Sequence, residues 1–261
     1  METNNQFSLK GKTALVTGAS YGIGFAIASA YANAGAKIIF NDVSEELVQR
    51  GLEAYKNEGI EAHGYVCDVT DEAGVTVFLE KAERENAPID ILVNNAGIIK
   101  RIPMHEMSAA DFRKVIDVDL VGPFIMAKAV LPGMMHRMRG KIINICSLMS
   151  ELGRETVSAY AAAKGGLKML TRSIASEYGQ YNIQCNGLGP GYIETPQTAP
   201  LRVEGHPFNN FIIGKTPAAR WGKTGDLTGA ALFLASDASN FVNGHILYVD
   251  GGILAYLGKQ P

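Results

Sequence analysis

Apolar residues in this chain gather into short runs, separated by longer stretches where they recur every three or four positions. The runs are KTALVTG (12–18), AKIIFND (36–42), EAHGYVCDV (61–69), IDILVNNAG (89–97), GKIINICS (140–147), NIQCNGLGPG (182–191) and HILYVDGG (245–252). Several are apolar almost throughout, as strands buried on both faces are. Between them, GIGFAIASAYANAG (22–35) and SEELVQRGLEAYKNEG (44–59) carry helical spacing and end in glycine, a common helix stop. Repeated alternation of strand and helix predicts an α/β fold with a doubly wound parallel sheet.

One irregular region interrupts the pattern. TPQTAPLRVEGHPFNNFIIGKTPAARWGK, about 195–225, is rich in proline and small residues and follows a strand end. Ligands of open α/β sheets bind beyond the carboxyl ends of the strands, so this insertion reads as a lid; the plainer alternative is a long surface loop. No linker or repeat divides the chain. Residues 1–261 are expected to form a single domain, with a cofactor half at about 10–140 and a catalytic and substrate half at about 141–261.

Composition narrows the function classes. The formal net charge of 261 residues is −2, with acids and bases mixed, so no nucleic-acid surface or polybasic membrane patch is expected. Cys67, Cys146 and Cys185 form no CxxC pair. A disulfide framework or zinc site is not expected, and a reducing compartment is the simpler reading. The opening METNNQFSLKGK lacks the apolar core of a signal peptide, and no apolar stretch reaches about 18 residues. The expectation is a cytoplasmic protein.

Candidate chemistry begins at TGASYGIG (17–24), which joins the first strand to the first helix. Gly18, Gly22 and Gly24 permit a tight turn and close approach of a pyrophosphate, and the helix N-terminus adds free N–H groups and a positive dipole end. The spacing differs from the GxGxxG dinucleotide fingerprint. Asp42 ends the second strand. A carboxylate there binds both ribose hydroxyls and repels a 2′-phosphate, which points to NAD with NADP as the other possibility. The alternative for NDVSEE is a helix cap at Asp42 or Ser44, and the two readings are compatible.

In SAYAAAK (158–164), Tyr160 and Lys164 stand four positions apart and share a helix face, with only alanines between them. Bringing a phenol from about pKa 10 to about 7, where a general acid or base works best, takes about 4 kcal/mol. One positive charge about 4 Å away, at an effective dielectric near 20, supplies about 4 kcal/mol. Lys164 therefore suits Tyr160 as an acidifying neighbour. Ser147 ends the strand KIINICS, where its hydroxyl would face the crevice and hold a substrate oxygen. Taken alone, YxxxK is as compatible with a core tyrosine and a solvated lysine; the ordered set around it carries the functional reading.

That set, TGASYGIG, CDV, NNAG, Ser147, YAAAK and GPGYIETP, resembles the short-chain dehydrogenase/reductase family along essentially the whole chain. The resemblance implies a Rossmann-type sheet and a tetramer in which helices pair between subunits. It implies Ser147 as substrate-oxygen binder, Tyr160 as catalytic acid/base, and Lys164 as the residue that lowers the tyrosine's pKa and holds the nicotinamide ribose. Cofactor contacts are implied for the loop residues Gly18, Ser20, Tyr21, Gly22, Ile23 and Gly24, for Asp42, and for Asp68 and Val69 at the adenine. They are also implied for Asn95, Ala96 and Gly97, and for Pro190, Gly191, Ile193 and Thr195 beside the nicotinamide. The family usually has asparagine where DVDLVGP presents Asp119, and that residue's main-chain carbonyl helps hold a water beside the lysine. Asp119 can keep that role, and its carboxylate, if buried, requires a partner.

Longer stretches, NNAGIIKRIPM, GKIINICSLMSELGRETVSAYAAAKGGLKMLT and TPAARWG among them, resemble the branch of the family that interconverts D-gluconate and 5-keto-D-gluconate. The residues agree with an anionic polyol. Lys100 and Arg101 follow a strand end, and Arg154 lies between Ser147 and Tyr160; a guanidinium suits a carboxylate through paired hydrogen bonds. Glu151, on the same loop, is a candidate for a polyol hydroxyl, and no metal site is assigned. Each of these charges could instead be a surface charge or a subunit salt bridge, and Arg220 reads as a structural anchor. Alternatives are another substrate, 2-keto-3-deoxygluconate at C5 or an acyl-carrier thioester, and a non-catalytic cofactor sensor. The helices in 111–138 and after Ser158 carry apolar surface suited to subunit pairing, and the tail ILAYLGKQP (253–261) is a candidate to reach a neighbour.

Overall fold

A computed structural model describes residues 6–258. All seven apolar runs become strands of one parallel sheet, lying side by side in the order 61–69, 36–42, 12–18, 89–97, 140–147, 182–191 and 245–252. In chain order the elements of the first half are β1 (Thr13–Thr17), α1 (Gly22–Asn33), β2 (Lys37–Asp42), α2 (Glu45–Asn57), β3 (Ala62–Val66), α3 (Glu72–Glu85) and β4 (Ile91–Asn94). Then come α4 (Ala109–Ile116), α5 (Gly122–Arg137), β5 (Gly140–Ile145), α6 (Ser158–Tyr178), β6 (Ile183–Pro190), β7 (Ile193–Glu194), α7 (Pro207–Lys215), β8 (Gly222–Lys223), α8 (Gly225–Ala235) and β9 (Ile246–Val249).

Alternate residues along each strand feed two separate cores, because successive side chains point to opposite faces. Ala14, Val16, Ile38, Phe40, Ile91, Val93, Ile143 and Ile145 pack with α1, α2 and α8 on one face. Leu15, Ile39, Leu92, Ile142 and Cys185 pack with α3, α5 and α6 on the other. Both faces are covered, which is why these runs read as apolar throughout rather than alternating. Strand order reverses beside β1, whose neighbours are β2 and β4, and a crevice opens at the carboxyl ends there.

The stretch 195–225 is more ordered than its composition suggested. It holds a 3₁₀ turn (Pro196–Leu201), α7 and β8, which pairs with β7 in a two-stranded sheet that no periodicity predicted, its strands being two residues each. Tyr192, Phe208 and Trp221 pack their rings together, with centroids 5.7–6.4 Å apart. Trp221 Nε1 donates to Asn209 Oδ1 at 2.7 Å. Arg220 pairs with Asp226 at 2.7 Å and donates to the Trp221 carbonyl, an anchor at the exit of the stretch.

The three cysteines are free and buried. Among the described residues no helix is long and apolar enough to cross a membrane, and no group of His, Cys, Asp and Glu is arranged to hold a metal ion. The first residues of the polar N-terminal stretch and the end of the 253–261 tail lie outside the described residues.

Candidate active site

The turn after β1 is built by positive-φ glycines. Gly18 has φ +61°, and a Cβ there would stand 2.9 Å from Ala96 Cα. Gly22, at φ +69°, opens α1 with nothing within 4 Å of where a Cβ would be. No side chain caps the N-terminus of α1, so its N–H groups are left for a ligand. Asn95 holds the turn: its Nδ2 donates to the carbonyls of Thr17 and Gly18, both at 2.9 Å. Tyr55 braces it from α2, donating to the Ala19 carbonyl at 2.8 Å.

Asp42 is buried at the end of β2, with one oxygen accepting from the Val43 N–H at 2.9 Å. The cap of α2 is Ser44, which accepts from Leu47 N–H at 3.4 Å. Capping thus does not occupy Asp42, and its carboxylate lies on the wall of a cavity of about 520 Å³. Of the predicted cofactor residues, Gly18, Tyr21, Gly22, Ile23, Asp42, Asp68, Val69, Asn95, Ala96, Gly97, Pro190, Gly191, Ile193 and Thr195 line this cavity. Ser20 and Gly24 do not: Ser20 is buried behind the turn, and Gly24 backs onto Asn95 too closely for any side chain. The cradle of small residues and free N–H groups fits a dinucleotide.

The same cavity receives Ser147, Tyr160, Lys164 and Asp119. Ser147 leaves β5 and caps a 3₁₀ turn, its Oγ accepting from Met149 N–H at 3.1 Å. Its hydroxyl hydrogen stays available to an oxygen in the cavity. One turn beyond Tyr160 on α6, the buried Lys164 ammonium donates to the Ile145 carbonyl at 2.9 Å and lies 5.5 Å from the centre of the Tyr160 ring. Asp119 has its partner: Oδ2 is 3.2 Å from Lys164 Nζ, and Oδ1 accepts from Ile98 N–H at 2.8 Å. Burial drives the Asp119 carboxyl upward against the pull of Lys164 and Ile98. Burial would strip Lys164, but Asp119, with Tyr160, outweighs it and holds the lysine above its ordinary value. Tyr160 therefore faces a paired cation, not the lone charge assumed from spacing.

Arg101 and Arg154 both reach the wall. Arg154 donates to the Tyr192 hydroxyl at 3.2 Å and lies 5.3 Å over the Phe208 ring. Burial, then the charge of Arg154, pulls Arg101 below the usual guanidinium range, although Tyr160 and Tyr192 act the other way. Among the described residues no carboxylate lies within 4 Å of either guanidinium. Lys100 turns aside to Asp111. Glu151 departs from the expected substrate position: it stands off the cavity wall, accepting from Lys168 at 2.6 Å and from the Tyr248 hydroxyl at 2.7 Å.

Sequence reasoning passed over Tyr192, Lys114, Gln197 and Thr198, which also line the cavity. Tyr192 sits inside the quoted GPGYIETP, so its signal was present; the others follow only from the way α4 and the 195–225 stretch fold back.

This fold and set of groups are those of the short-chain dehydrogenase/reductase family, to which the chain belongs, and it is a nicotinamide-dependent oxidoreductase. The family profile described as enoyl-(acyl carrier protein) reductase matches residues 18–254. More particularly, the chain is 58% identical over 254 residues to the 2-dehydro-3-deoxy-D-gluconate 5-dehydrogenase of Formosa agariphila, covering 97% of this chain and 96% of that one. The structure of 2-keto-3-deoxy-D-gluconate dehydrogenase from Streptococcus agalactiae is 71% identical, covers 97% of each chain and superposes with a TM-score of 0.85. A gluconate 5-dehydrogenase from Burkholderia cenocepacia J2315, in complex with NADP and tartrate, is 44% identical with a TM-score of 0.92, covering 97% of this chain and 98% of that one.

Proposed function

We propose that this chain oxidises and reduces C5 of a six-carbon sugar acid, with 2-dehydro-3-deoxy-D-gluconate as first substrate and the D-gluconate/5-keto-D-gluconate pair as second. The observation that carries the sugar-acid reading is the pair of guanidiniums, Arg101 and Arg154, unmatched by any carboxylate of the described residues and on the same wall as Ser147 and Tyr160. An acyl thioester would favour an apolar wall there, whereas a carboxylate suits two forked donors. The order of substrates is supported by relatives at 71% and 58% identity against one at 44%.

A bound nicotinamide dinucleotide supplies the hydride acceptor for oxidation and the donor for reduction. Tyr160 takes the proton of the C5 hydroxyl in oxidation and returns it in reduction. Ser147 donates its hydroxyl hydrogen to the same oxygen and steadies the forming carbonyl. Lys164 keeps positive charge under the phenol and holds the ribose; Arg101 and Arg154 hold the carboxylate. A steady-state panel tests this. kcat/KM for 2-dehydro-3-deoxy-D-gluconate is expected to exceed that for D-gluconate; a reversed ratio overturns the substrate order, and turnover of acyl thioesters alone overturns the sugar-acid reading.

Arg154→Ala is expected to lower kcat/KM for either sugar acid about tenfold to a hundredfold, the worth of a hydrogen bond to a charged group. A neutral polyol of the same length should lose little, and equal losses on both would contradict the role.

Asp42 supports preference for NAD, with NADP as the weaker cofactor. Asp42→Ala is expected to raise the NADPH-to-NADH ratio of kcat/KM by about tenfold or more, since it removes a charge that repels the 2′-phosphate. A ratio that does not move would sink the assignment.

Subunit pairing is part of the same reading. Phe112, Val121, Phe124 and Met169 are exposed on α4, the turn before α5, α5 and α6. A homotetramer covering them is expected in sedimentation equilibrium.

A further inference from the structure

Asp119 occupies a single π turn, Asp117–Val121, between α4 and α5. Such turns concentrate at functional sites. The carboxylate is wholly shut from water. The backbone after β4 closes over it, since a Cβ on Gly97 would stand 2.9 Å from Oδ2. Oδ1 accepts from the Ile98 N–H at 2.8 Å, whereas Oδ2 accepts no hydrogen bond among the described residues and meets Lys164 Nζ as an ion pair at 3.2 Å.

A buried ion pair is a poor device for stability, because desolvation offsets its attraction and well-packed apolar residues do as well or better. Packing alone would not call for these charges. A buried ammonium whose only other partner is a carbonyl, here that of Ile145 at 2.9 Å, tends to give up its proton. The groups facing Lys164 are Asp119 from the π turn, Tyr160 from α6 itself and Cys146 from the end of β5. The Ser150 hydroxyl is spent on the Lys164 carbonyl at 2.9 Å, and Glu151 on Lys168 and Tyr248. Arg101 faces Tyr160 from the loop after β4, adding positive charge. Among the described residues Asp119 alone brings a carboxylate within 4 Å of Nζ.

We infer that Asp119 is a positioning residue whose carboxylate holds the Lys164 ammonium against the Ile145 carbonyl and keeps it charged beneath Tyr160. The inference rests on the reading of Tyr160 and Lys164 as the acid–base pair. It departs from the expectation that only the main chain of residue 119 matters, for then asparagine would serve equally.

The test is a ¹³C NMR titration of lysine ε-carbons in the full chain without cofactor or substrate, with the Lys164 signal identified by its loss in Lys164→Arg. In the wild type its midpoint is expected above the ordinary lysine value, held there by the Asp119 charge. In Asp119→Asn its midpoint should fall by at least about one unit, a tenfold loss of proton affinity. The kcat for sugar-acid oxidation should fall above that same midpoint, with KM moving less than about threefold. An unmoved midpoint overturns the inference. Should Asp119→Asn not fold, Lys164→Met gives the reciprocal reading: the midpoint of the Asp119 carboxyl carbon, followed by ¹³C-labelled aspartate, should lie above its wild-type position, and an unmoved midpoint overturns the pairing. Both spectra are read without substrate, so failure of the sugar-acid panel leaves them intact, and an unmoved midpoint leaves the substrate reading standing.

Discussion

Tyr160→Phe is expected to lower kcat for sugar-acid oxidation by about 10²–10⁴-fold, the usual contribution of a positioned acid–base group. The substitution removes one oxygen and keeps the ring. That ring packs against the small core of Val115, Ala159 and Ala163, so folding should be untouched. The Lys164–Asp119 pair, the Ile145 contact and the cradle of Gly18 and Gly22 do not depend on the hydroxyl. Dinucleotide affinity, measured by fluorescence titration, should therefore stay within about threefold, placing the loss in the chemical step. Near-normal turnover by a folded variant that still binds dinucleotide would remove Tyr160 from the mechanism.

Lys164→Met should act on activity and stability together. Turnover falls because the phenol loses its cation. Stability falls by about 3–5 kcal/mol at neutral pH, the cost of leaving one partner of a buried pair alone. The sign of its pH dependence follows from Asp119. Burial already holds that carboxyl above its ordinary value, and the variant removes the lysine that pulled it back. A carboxyl raised in the folded state keeps its proton longer than the unfolded chain does, so stability declines as pH climbs from about 4 through the folded value. Urea unfolding should show a smaller deficit against wild type at pH 5 than at pH 8. An equal deficit at both would mean that Asp119 is not left unpaired. In the wild type, Lys164 is the raised base: its contribution is fully present below about pH 10.4 and is lost as pH rises through the folded value.

Much of this site was legible because its groups hang on local pattern. Glycine at 18 and 22 answers to a turn that needs positive φ, and the turn's place after the first apolar run follows from strand–helix alternation. Tyr160 and Lys164 share a face because they are one helical turn apart. Ser147 faces the crevice because it ends a parallel strand. What was misread involved choosing among charges. Lys100 and Arg101 are adjacent in sequence, yet one turns to Asp111 and the other enters the cavity. Glu151 looked available to a polyol until Lys168 and Tyr248, from α6 and β9, closed on it. For Asp42 at the end of β2, both the cap and the ribose reading stood open; Ser44 took the capping by accepting from the Leu47 N–H.

Seven strands, the glycine turn after the first of them, and the serine, tyrosine and lysine that share one cavity were all readable from residue order alone. Each of these depends on periodicity or on backbone conformation within one element and its neighbours. The charge that Tyr160 faces came from the packed fold, because Asp119 and Lys164 meet across 45 positions of chain and neither carries a local mark of the other. The packed fold also decided which cations remain unmatched at the cavity. Burial and pairing are properties of side chains brought together from separate elements, and an ion pair formed between them leaves no period in the sequence.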